Sequence, residues 1–323
     1  MNQPNDILDV FEMTPAQAGM LFQTLYAPEA GAYFQQYWGR LDGVLDVGAF
    51  RAAWQAVIDR HDILRARCHW QDLDRPALAI HRTASPEWQE PDWSDLPEDV
   101  QRARLDDWLA ADRARGFDPG ALPLMRFALI RMGAASHVFV WSFHHLLLDG
   151  WCGALLVREM LAIYGGATPG PRPRPFRDYV EWQDRQDRDA ARDYWAQALA
   201  GIEGPTPLGI DRAETGEAGL AEHRVTLDAG LTAAITGFAR QQRLTLATIM
   251  QGAWALILSR HAGQPDVTFG TVLSGRPADL PGAEEMIGLF LQTVPLRVTA
   301  ADDTEVLPWL HTLQTGHPQR EAH

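Results

Sequence analysis

Lysine is absent from this 323-residue chain, whose 28 basic residues are all arginine and are outnumbered by 42 acidic residues. The formal net charge of −14 argues against a nucleic-acid or anionic-membrane partner, because either normally requires a basic face. Cys68 and Cys152 are too few for a disulfide framework and lack metal-ligand spacing, so we expect a cytoplasmic protein. The N-terminal segment has no basic region followed by an apolar stretch, so no signal peptide is predicted. No run of about 18 apolar residues occurs in the sequence, so no membrane span is predicted.

The composition is that of a folded protein rather than a disordered one, with 46% hydrophobic and 22% charged residues. At about 100–200 residues per domain, the length predicts two domains or two lobes of one unit. The densest glycine- and proline-rich stretch, GGATPGPRPRP at residues 165–175, is the best candidate for the boundary. No glycine-rich loop follows a predicted strand, which argues against a nucleotide-binding fold.

Hydrophobic spacing and capping residues predict a mixed order of helices and strands rather than a regular alternation. The predicted helices cover residues 15–26, 47–60, 98–115, 152–164, 176–200, 229–242, 244–261 and 304–314. The predicted strands cover residues 32–41, 63–70, 77–81, 125–132, 137–143, 223–227, 267–273 and 289–298. Residues 86–97 and 201–220 are expected to be loops.

One segment, WSFHHLLLDGW at residues 141–151, places ionisable groups at the end of a strand that is apolar on both faces. Side chains alternate across a strand, so His144 and His145 would point in opposite directions and only one would face a given cavity. A histidine in a strand is more often a hydrogen-bonded core residue than a catalyst. A metal site would need ligands beyond Asp149, and a Ser-His-Asp triad would need a G-x-S-x-G elbow that the sequence lacks. General acid–base chemistry by one histidine, with Asp149 as a structural partner, needs no further residue.

The segment HHLLLDG at residues 144–150 resembles the HHxxxDG signature of condensation domains in nonribosomal peptide synthetases. That signature is shared with the chloramphenicol-acetyltransferase-like acyltransferase superfamily. Further segments resemble the other motifs of condensation domains in the same order. They are MTPAQAGMLF at 13–22, AYFQQ at 32–36, RHDILR at 60–65, RPFRDYVEW at 174–182, and VTFGTVLSGRP at 267–277 with MIGLFLQTVPLRV at 286–298.

The resemblance implies a mixed α/β fold of two chloramphenicol-acetyltransferase-like lobes with a tunnel between them. The lobes would comprise residues 1–170, which carry the HHxxxDG motif, and residues 171–323. Members of the family usually continue well beyond the segment that matches residues 286–298, so we expect the second lobe to be incomplete and the activity of this chain to need a direct test.

The resemblance also assigns roles within the signature. His145 would act on the amine of an acceptor aminoacyl thioester as that amine attacks a donor thioester, either as a base or by positioning the amine. The N–H of Gly150 is a candidate oxyanion donor. His144 would pack or hydrogen-bond behind the site, and Asp149 would form a structural ion pair with Arg65.

Four more residues are candidates for the substrate tunnel: Trp151, Ser274, Arg276 and Gln292. For Trp151, which follows an aromatic pattern with Trp54, Trp108 and Trp141, core packing is the more common role. For Ser274 and Arg276, a surface turn is an equal alternative. Gln292 stands where the family usually has asparagine, and Cys152 stands where serine is frequent, which we interpret as a small buried filler.

The resemblance implies that both substrates arrive on the 4′-phosphopantetheine arms of partner carrier proteins, beside an adenylation domain, and that this chain itself binds no cofactor and no metal. An epimerisation-type domain is the nearest alternative, although the segment MTPAQAGMLF at residues 13–22 favours a condensation domain. A heterocyclisation type is excluded, because it has aspartates in place of His144 and His145. A stand-alone ester-forming acyltransferase and a truncated non-catalytic module that binds carrier proteins remain alternatives.

Overall fold

The computed structural model describes residues 6–28, 31–208, 223–301 and 303–322. The chain divides into two compact units, of which the first comprises Met1–Arg185 with Arg276–Leu291 and the second Gln186–Gly275 with Gln292–His323. This division differs from the predicted boundary at residue 170. The chain stays in the first unit after residue 170 because Phe176 and Tyr179 are buried in its core, and it returns there because Phe290 is buried in the same core.

Two sheets form the framework of the first unit. Three antiparallel strands pair in the order β1 (Ile7–Glu12), β4 (Ala77–His81) and β3 (Ala66–His69). The second sheet has the order β2 (Phe34–Asp42), β7 (Ser136–His144), β6 (Met125–Gly133) and β5 (Glu87–Gln89). Strands β2 and β7 are antiparallel with Phe34 opposite His144, so the end of β7 lies beside the beginning of β2.

In the described part of this unit, five helices accompany the sheets: α1 (Pro15–Tyr26), α2 (Val47–Arg60), α3 (Glu98–Arg115), α4 (Gly150–Tyr164) and α5 (Arg177–Asp184). Helix α1 begins at a capping box, in which the Thr14 hydroxyl accepts the Gln17 N–H and the Gln17 side chain accepts the Thr14 N–H. Pro15 occupies the first helical position, where its missing N–H costs no hydrogen bond. Asp149 caps the start of α4 through its own side chain.

Strand β7 is buried on both faces, as its sequence predicts. Trp141 and Phe143 lie on one face in the main core of the first unit, where the ring of Trp141 is 5.0 Å from that of Trp54. Val138 and Val140 lie on the other face in a smaller core under α3. The loop that follows β7 is therefore attached to a strand that is buried in a core on each face.

The second unit combines helices with a two-stranded antiparallel sheet, β8 (Asp266–Leu273) and β9 (Gln292–Thr299). The helices among its described residues are α6 (Arg188–Ala198), α7 (Ala229–Gln241), α8 (Leu246–Ala262), α9 (Val306–Thr315) and α10 (His317–Ala322). Ala255 and Leu258 of α8 pack on Val267 and Leu296 of the strands to form its core.

The predicted elements differ from the observed ones at a few places. Residues 63–70 begin as a 3₁₀ helix, Asp62–Arg65, before β3. The predicted helix 176–200 is split into α5 and α6, because Asp187 caps a new helix start. Residues 223–227 form no strand, and part of the loop predicted over 201–220 lies outside the described residues. Among the helices that the structure describes, none is both long and apolar enough to cross a membrane.

Candidate active site

The signature segment forms a short loop between β7 and α4. Strand β7 ends at His144, and residues His145–Leu147 make a single 3₁₀ turn. The N–H of His145 donates to the carbonyl oxygen of Tyr33 over 2.8 Å, and the side chains of Leu146, Leu147 and Leu148 are fully buried. The alternation of a strand therefore stops before His145, and the position of this residue depends on the turn.

His144 is buried and has hydrogen-bond partners at both ring nitrogens. Its Nδ1 accepts the N–H of Leu146 over 3.1 Å, and its Nε2 lies 3.0 Å from Thr24 Oγ1. Burial, with a smaller contribution from the neighbouring His145, lowers the pKa of His144 to about 4. His144 is consequently neutral at physiological pH, and both of its nitrogens are occupied by structural bonds.

His145 has a different environment. The residue is half-buried, and its Nδ1 is buried without a hydrogen-bond partner among the described residues. In the described part of the chain, therefore, no carboxylate orients this nitrogen as one does in a Ser-His-Asp triad. The ring is placed by its backbone rather than by side-chain bonds.

Asp149 is buried and its carboxylate is fully used. Oδ1 accepts the N–H of Cys152 over 3.0 Å at the start of α4, and Oδ2 accepts the N–H of Phe290 over 3.2 Å. The guanidinium of Arg276 lies 3.5 Å from Oδ1. The predicted ion pair between Asp149 and Arg65 is wrong, because Arg276 is the charged partner.

Arg65 is buried at another place in the unit. Its Nη2 lies 2.5 Å from Asp62 Oδ1, and its Nε donates to the carbonyl oxygen of Ile58 at the end of α2. The 3₁₀ helix Asp62–Arg65 turns this side chain towards the carbonyl groups that α2 leaves free. Arg65 thus supports the connection between α2 and β3 rather than the signature loop.

Arg276 binds the segment Arg276–Leu291, in which the chain returns to the first unit, to helix α4. Its Nη1 donates to the carbonyl oxygens of Met286, over 3.0 Å, and Ala283, and its Nη2 lies 3.0 Å from Cys152 Sγ. The guanidinium also stacks 4.0 Å from the centroid of the Phe290 ring. The nearly buried side chain of Arg276 therefore has a structural role, in which it connects this segment to the beginning of α4.

The thiol of Cys152 faces the same segment. Its Sγ lies 3.1 Å from the carbonyl oxygen of Gly288, and burial raises the pKa of this thiol to about 12. A thiol with so high a pKa is protonated at neutral pH and is a poor nucleophile. This geometry agrees with the interpretation of Cys152 as a buried filler.

Gly150 and Trp151 begin α4 on its exposed side. A Cβ added to Gly150 would meet nothing within 4 Å, so close backbone approach does not explain the glycine. As the first residue of α4, its N–H has no acceptor within the helix. Trp151 is 58% exposed and donates its Nε1–H to the carbonyl oxygen of Glu284, so it is not a core residue as Trp54 and Trp141 are.

The remaining candidates are divided between the two units. Arg276 belongs to the first unit, whereas Ser274 and Gln292 belong to the second. Gln292 opens β9 opposite Leu273, and Ser274 is exposed just after β8. Among the described residues, no group of three or more His, Cys, Asp or Glu side chains could hold a metal ion.

Sequence reasoning missed several residues that contact the signature loop, and three of them lie near the start of the chain. Tyr33 adopts a left-handed backbone conformation with φ of 63° and accepts the His145 N–H. Gln17 donates to the carbonyl oxygen of Leu146 over 3.1 Å, and Thr24 contacts His144. The capping pattern around Gln17 is visible in the sequence, but nothing in it indicates a contact with a loop more than a hundred residues away.

Comparison with known proteins shows the family to which this chain belongs. Residues 7–323 match the family described as "Condensation domain". One of the linear gramicidin synthase proteins of Brevibacillus parabrevis is 44% identical over 322 residues, which cover 97% of this chain and 6% of that protein. Chondramide synthase of Chondromyces crocatus is 37% identical over 297 residues, covering 90% of this chain and 8% of that protein. The chain thus spans a small fraction of the curated relatives that it matches.

Solved structures are similar in fold. The first condensation domain of the calcium-dependent antibiotic synthetase, in complex with a substrate analogue, has a TM-score of 0.77 and 20% identity, covering 98% of this chain and 76% of that one. The condensation domain from the monacolin K polyketide synthase has a TM-score of 0.79 and 19% identity, covering 98% and 74%. The predicted mixed α/β, chloramphenicol-acetyltransferase-like fold class is confirmed.

Proposed function

Since this chain belongs to the condensation-domain family, we propose that it joins a donor acyl or peptidyl thioester to an acceptor aminoacyl thioester through a new amide bond. One observation supports this function above others. Within the signature, His144 and Asp149 are buried and bonded to structural partners, whereas the ring of His145 is only half-buried and has no hydrogen bond to a structural partner among the described residues. His145 is therefore the imidazole available for proton transfer.

The reaction needs a proton to move from nitrogen to sulfur. The neutral acceptor amine attacks the donor carbonyl carbon, a C–N bond forms, and the C–S bond breaks to release a thiolate. His145 accepts the proton that the amine loses and passes it to the thiolate, so that no net charge remains. A positioned imidazole of this kind contributes about 10²–10⁴ in rate, and holding the two thioesters together contributes more.

The negative oxygen of the tetrahedral intermediate needs a donor. The N–H of Gly150 lies in the first turn of α4, where backbone N–H groups and the helix dipole favour negative charge. We assign this N–H the role of oxyanion donor. The exposed indole of Trp151, the next residue, supports a substrate-facing position at the same helix end.

The partners follow from the same proposal. Both thioesters would be carried on the 4′-phosphopantetheine arms of carrier proteins, one upstream and one downstream, and an adenylation domain would load the acceptor. The long synthase proteins among the relatives, of which this chain matches 6% in one case, support a place within such an assembly.

A direct assay tests the function. Donor and acceptor carrier proteins are loaded with aminoacyl groups, mixed with this chain or its His145→Ala variant, and the acceptor is analysed by mass spectrometry. We expect a dipeptidyl thioester with the wild type and, from the loss of the positioned imidazole, at least about a hundredfold less with the variant. Cys152→Ser is the matched control, because it changes a buried neighbour that takes no part in the reaction, and it should keep most of the activity.

Two other outcomes would contradict the proposal. Exchange of the donor α-proton without a new amide bond would identify an epimerisation-type domain. Tight binding of loaded carrier proteins by a well-folded chain, without turnover, would identify a non-catalytic binding module.

A further inference from the structure

His144 carries hydrogen bonds that leave only one consistent position for its proton. Nδ1 faces the N–H of Leu146 and must therefore be an unprotonated acceptor. Thr24 Oγ1 donates its own hydrogen to the carbonyl oxygen of Met20 over 2.8 Å, so it meets His144 Nε2 with a lone pair. These bonds place the proton on Nε2, which donates to Thr24.

This tautomer matters for the turn that follows. The Leu146 N–H bonded to Nδ1 caps the 3₁₀ turn His145–Leu147. If the proton moved to Nδ1, two N–H groups would face each other inside a buried site, and the cap would be lost. The hydroxyl of Thr24, by accepting the Nε2 proton, keeps the cap in place.

Helix α1 also binds the carbonyl group of Leu146. Gln17, which is fully buried, donates its Nε2–H to the carbonyl oxygen of Leu146 over 3.1 Å. Gln17 and Thr24 lie about two helical turns apart, and therefore on one face of α1. Both polar groups of Leu146, the residue after His145, thus depend on side chains of α1 or on a ring that α1 holds.

His145 itself has no comparable side-chain support. Its Nδ1 has no hydrogen-bond partner in the described part of the chain, and its backbone N–H is bonded to Tyr33. The direction of its ring therefore depends on how the turn is held. Tyr33 also contributes to the position of the turn, because the centroid of its ring lies 6.4 Å from that of the His144 ring.

We infer that Thr24 is a positioning residue, whose hydroxyl holds His144 in the neutral Nε2–H tautomer and through it sets the turn that presents His145. This inference rests on the proposed function only for its activity readout. Nothing in the proposed chemistry requires a hydroxyl at this place in α1. The role is assigned by the contacts of Thr24 alone.

The matched pair of variants is Thr24→Val, which keeps the branched shape and removes the hydroxyl, and Thr24→Ser, which keeps the hydroxyl. With ¹⁵N-labelled histidine, NMR of the full chain reports which nitrogen of His144 carries the proton, and His144→Asn identifies the signal. We expect Nε2 to be protonated at pH 7 in the wild type and in Thr24→Ser. We expect Thr24→Val to show a mixture of tautomers and faster hydrogen exchange of the Leu146 amide.

The activity readout should follow the tautomer. In the carrier-protein assay, Thr24→Val should lower kcat about 10–100-fold with KM changed less than about twofold, because a displaced catalytic ring affects the reacting geometry more than binding. Thr24→Ser should restore kcat to within about threefold of the wild type, since it restores the same geometry. A purely structural role would lower stability without this split between kcat and KM.

Protonated Nδ1 on His144 in the wild type would overturn the inference without any variant. Unchanged tautomer and kcat in Thr24→Val would overturn it as well. If the wild type forms no amide bond, the proposed function fails while the tautomer and exchange measurements still decide the role of Thr24. If Thr24→Val does not fold, the smaller Thr24→Ala removes the same hydroxyl and takes its place.

Discussion

Asp149 and Arg276 form a buried contact between residues 127 positions apart, with 3.5 Å between carboxylate and guanidinium. Both side chains are nearly inaccessible, at 5% and 9% exposure. The carboxylate at the start of α4 is thereby tied to a segment that the chain adds much later. The aspartate of the HHLLLDG loop is thus a structural anchor, and its removal would affect activity without any part in proton transfer.

A double-mutant cycle tests this pair. Removing Asp149 leaves a buried guanidinium without its charged partner, so Asp149→Ala should lower the free energy of unfolding by about 3–5 kcal/mol. In Asp149→Ala with Arg276→Met, the two losses should not add, and the coupling should be about 0.5–3 kcal/mol. Urea denaturation of the single and double variants measures both quantities.

The control cycle uses Arg65, the partner that the sequence suggested. Arg65 is bonded to Asp62 and to backbone carbonyls, so Arg65→Met should destabilise the chain on its own. Its effect should add to that of Asp149→Ala within about 0.5 kcal/mol. Coupling of Asp149 to Arg65 that equals its coupling to Arg276 would contradict the observed pairing.

The depressed pKa of His144 predicts a pH dependence of stability. Its ordinary pKa is 6.5 and its pKa in the folded chain is about 4, so the unfolded chain binds the additional proton between these values. Stability is therefore fully present above pH 6.5 and falls as the pH is lowered towards 4, by about 3 kcal/mol from this group. Urea denaturation at pH 7, 5.5 and 4 measures the loss.

His144→Asn is the matched variant for this measurement. Its side-chain oxygen still accepts the Leu146 N–H, but the residue does not titrate. Between pH 7 and 4 it should lose less stability than the wild type by about the same 3 kcal/mol. Parallel pH profiles for the two chains would show that His144 is not the group responsible.

Two glycines near α4 predict opposite results on substitution by alanine. A Cβ on Gly288 would overlap the ring of Phe176, so Gly288→Ala should destabilise the first unit by about 3 kcal/mol or more. A Cβ on Gly150 would meet nothing within 4 Å, so Gly150→Ala should change stability by less than about 0.5 kcal/mol. Thermal unfolding of both variants makes the comparison.

Gly150→Ala also tests the proposed oxyanion donor. The substitution keeps the backbone N–H, so amide formation should stay within about threefold of the wild type if that N–H is the working group. A loss beyond about a hundredfold in a stable variant, as large as the loss of an oxyanion donor itself, would point instead to a need for space at this position.

The two cysteines should be inert in the folded chain. Burial raises the pKa of both Cys68 and Cys152 to about 12, so little thiolate exists at pH 8. A thiol reagent such as dithionitrobenzoate should find no reactive group in the native chain and two after unfolding in guanidinium chloride. Rapid reaction of Cys152 in the native chain would contradict its assignment as a filler.

Local signals in the sequence predict the helices well. The ends of α1, α2 and α3 agree with the prediction, because residues such as Thr14, Pro15 and Asp46 mark helix starts through chemistry that acts within a few residues. Strand β1 is not predicted, because its partner β4 lies far along the chain and the pairing stabilises it. The region 223–227 looks like a strand by composition, but no described strand pairs with it.

The candidate site likewise has features that local sequence signals predict and features that depend on distant parts of the chain. The structural use of Asp149 could be predicted from the signature and its resemblance, whereas the role of His145 stays a prediction. The partner of Asp149 could not be predicted, because Arg65 and Arg276 are equally suitable by type, and it is the return of Arg276–Leu291 to the first unit that brings Arg276 close. The sequence carries no signal for Thr24, because a threonine in a helix usually serves only that helix.

The return of residues Arg276–Leu291 to the first unit has a consequence for biosynthesis. A ribosome that has completed α5 has not yet made Phe290, whose ring lies 4.5 Å from that of Tyr179, or the guanidinium that pairs with Asp149. The nascent first unit therefore waits with an open hydrophobic site and an unpaired carboxylate until Gln186–Gly275 and then Arg276–Leu291 are synthesised. Contacts between residues so far apart in the sequence slow folding and leave the incomplete unit prone to aggregation. The first unit therefore needs protection from aggregation during translation.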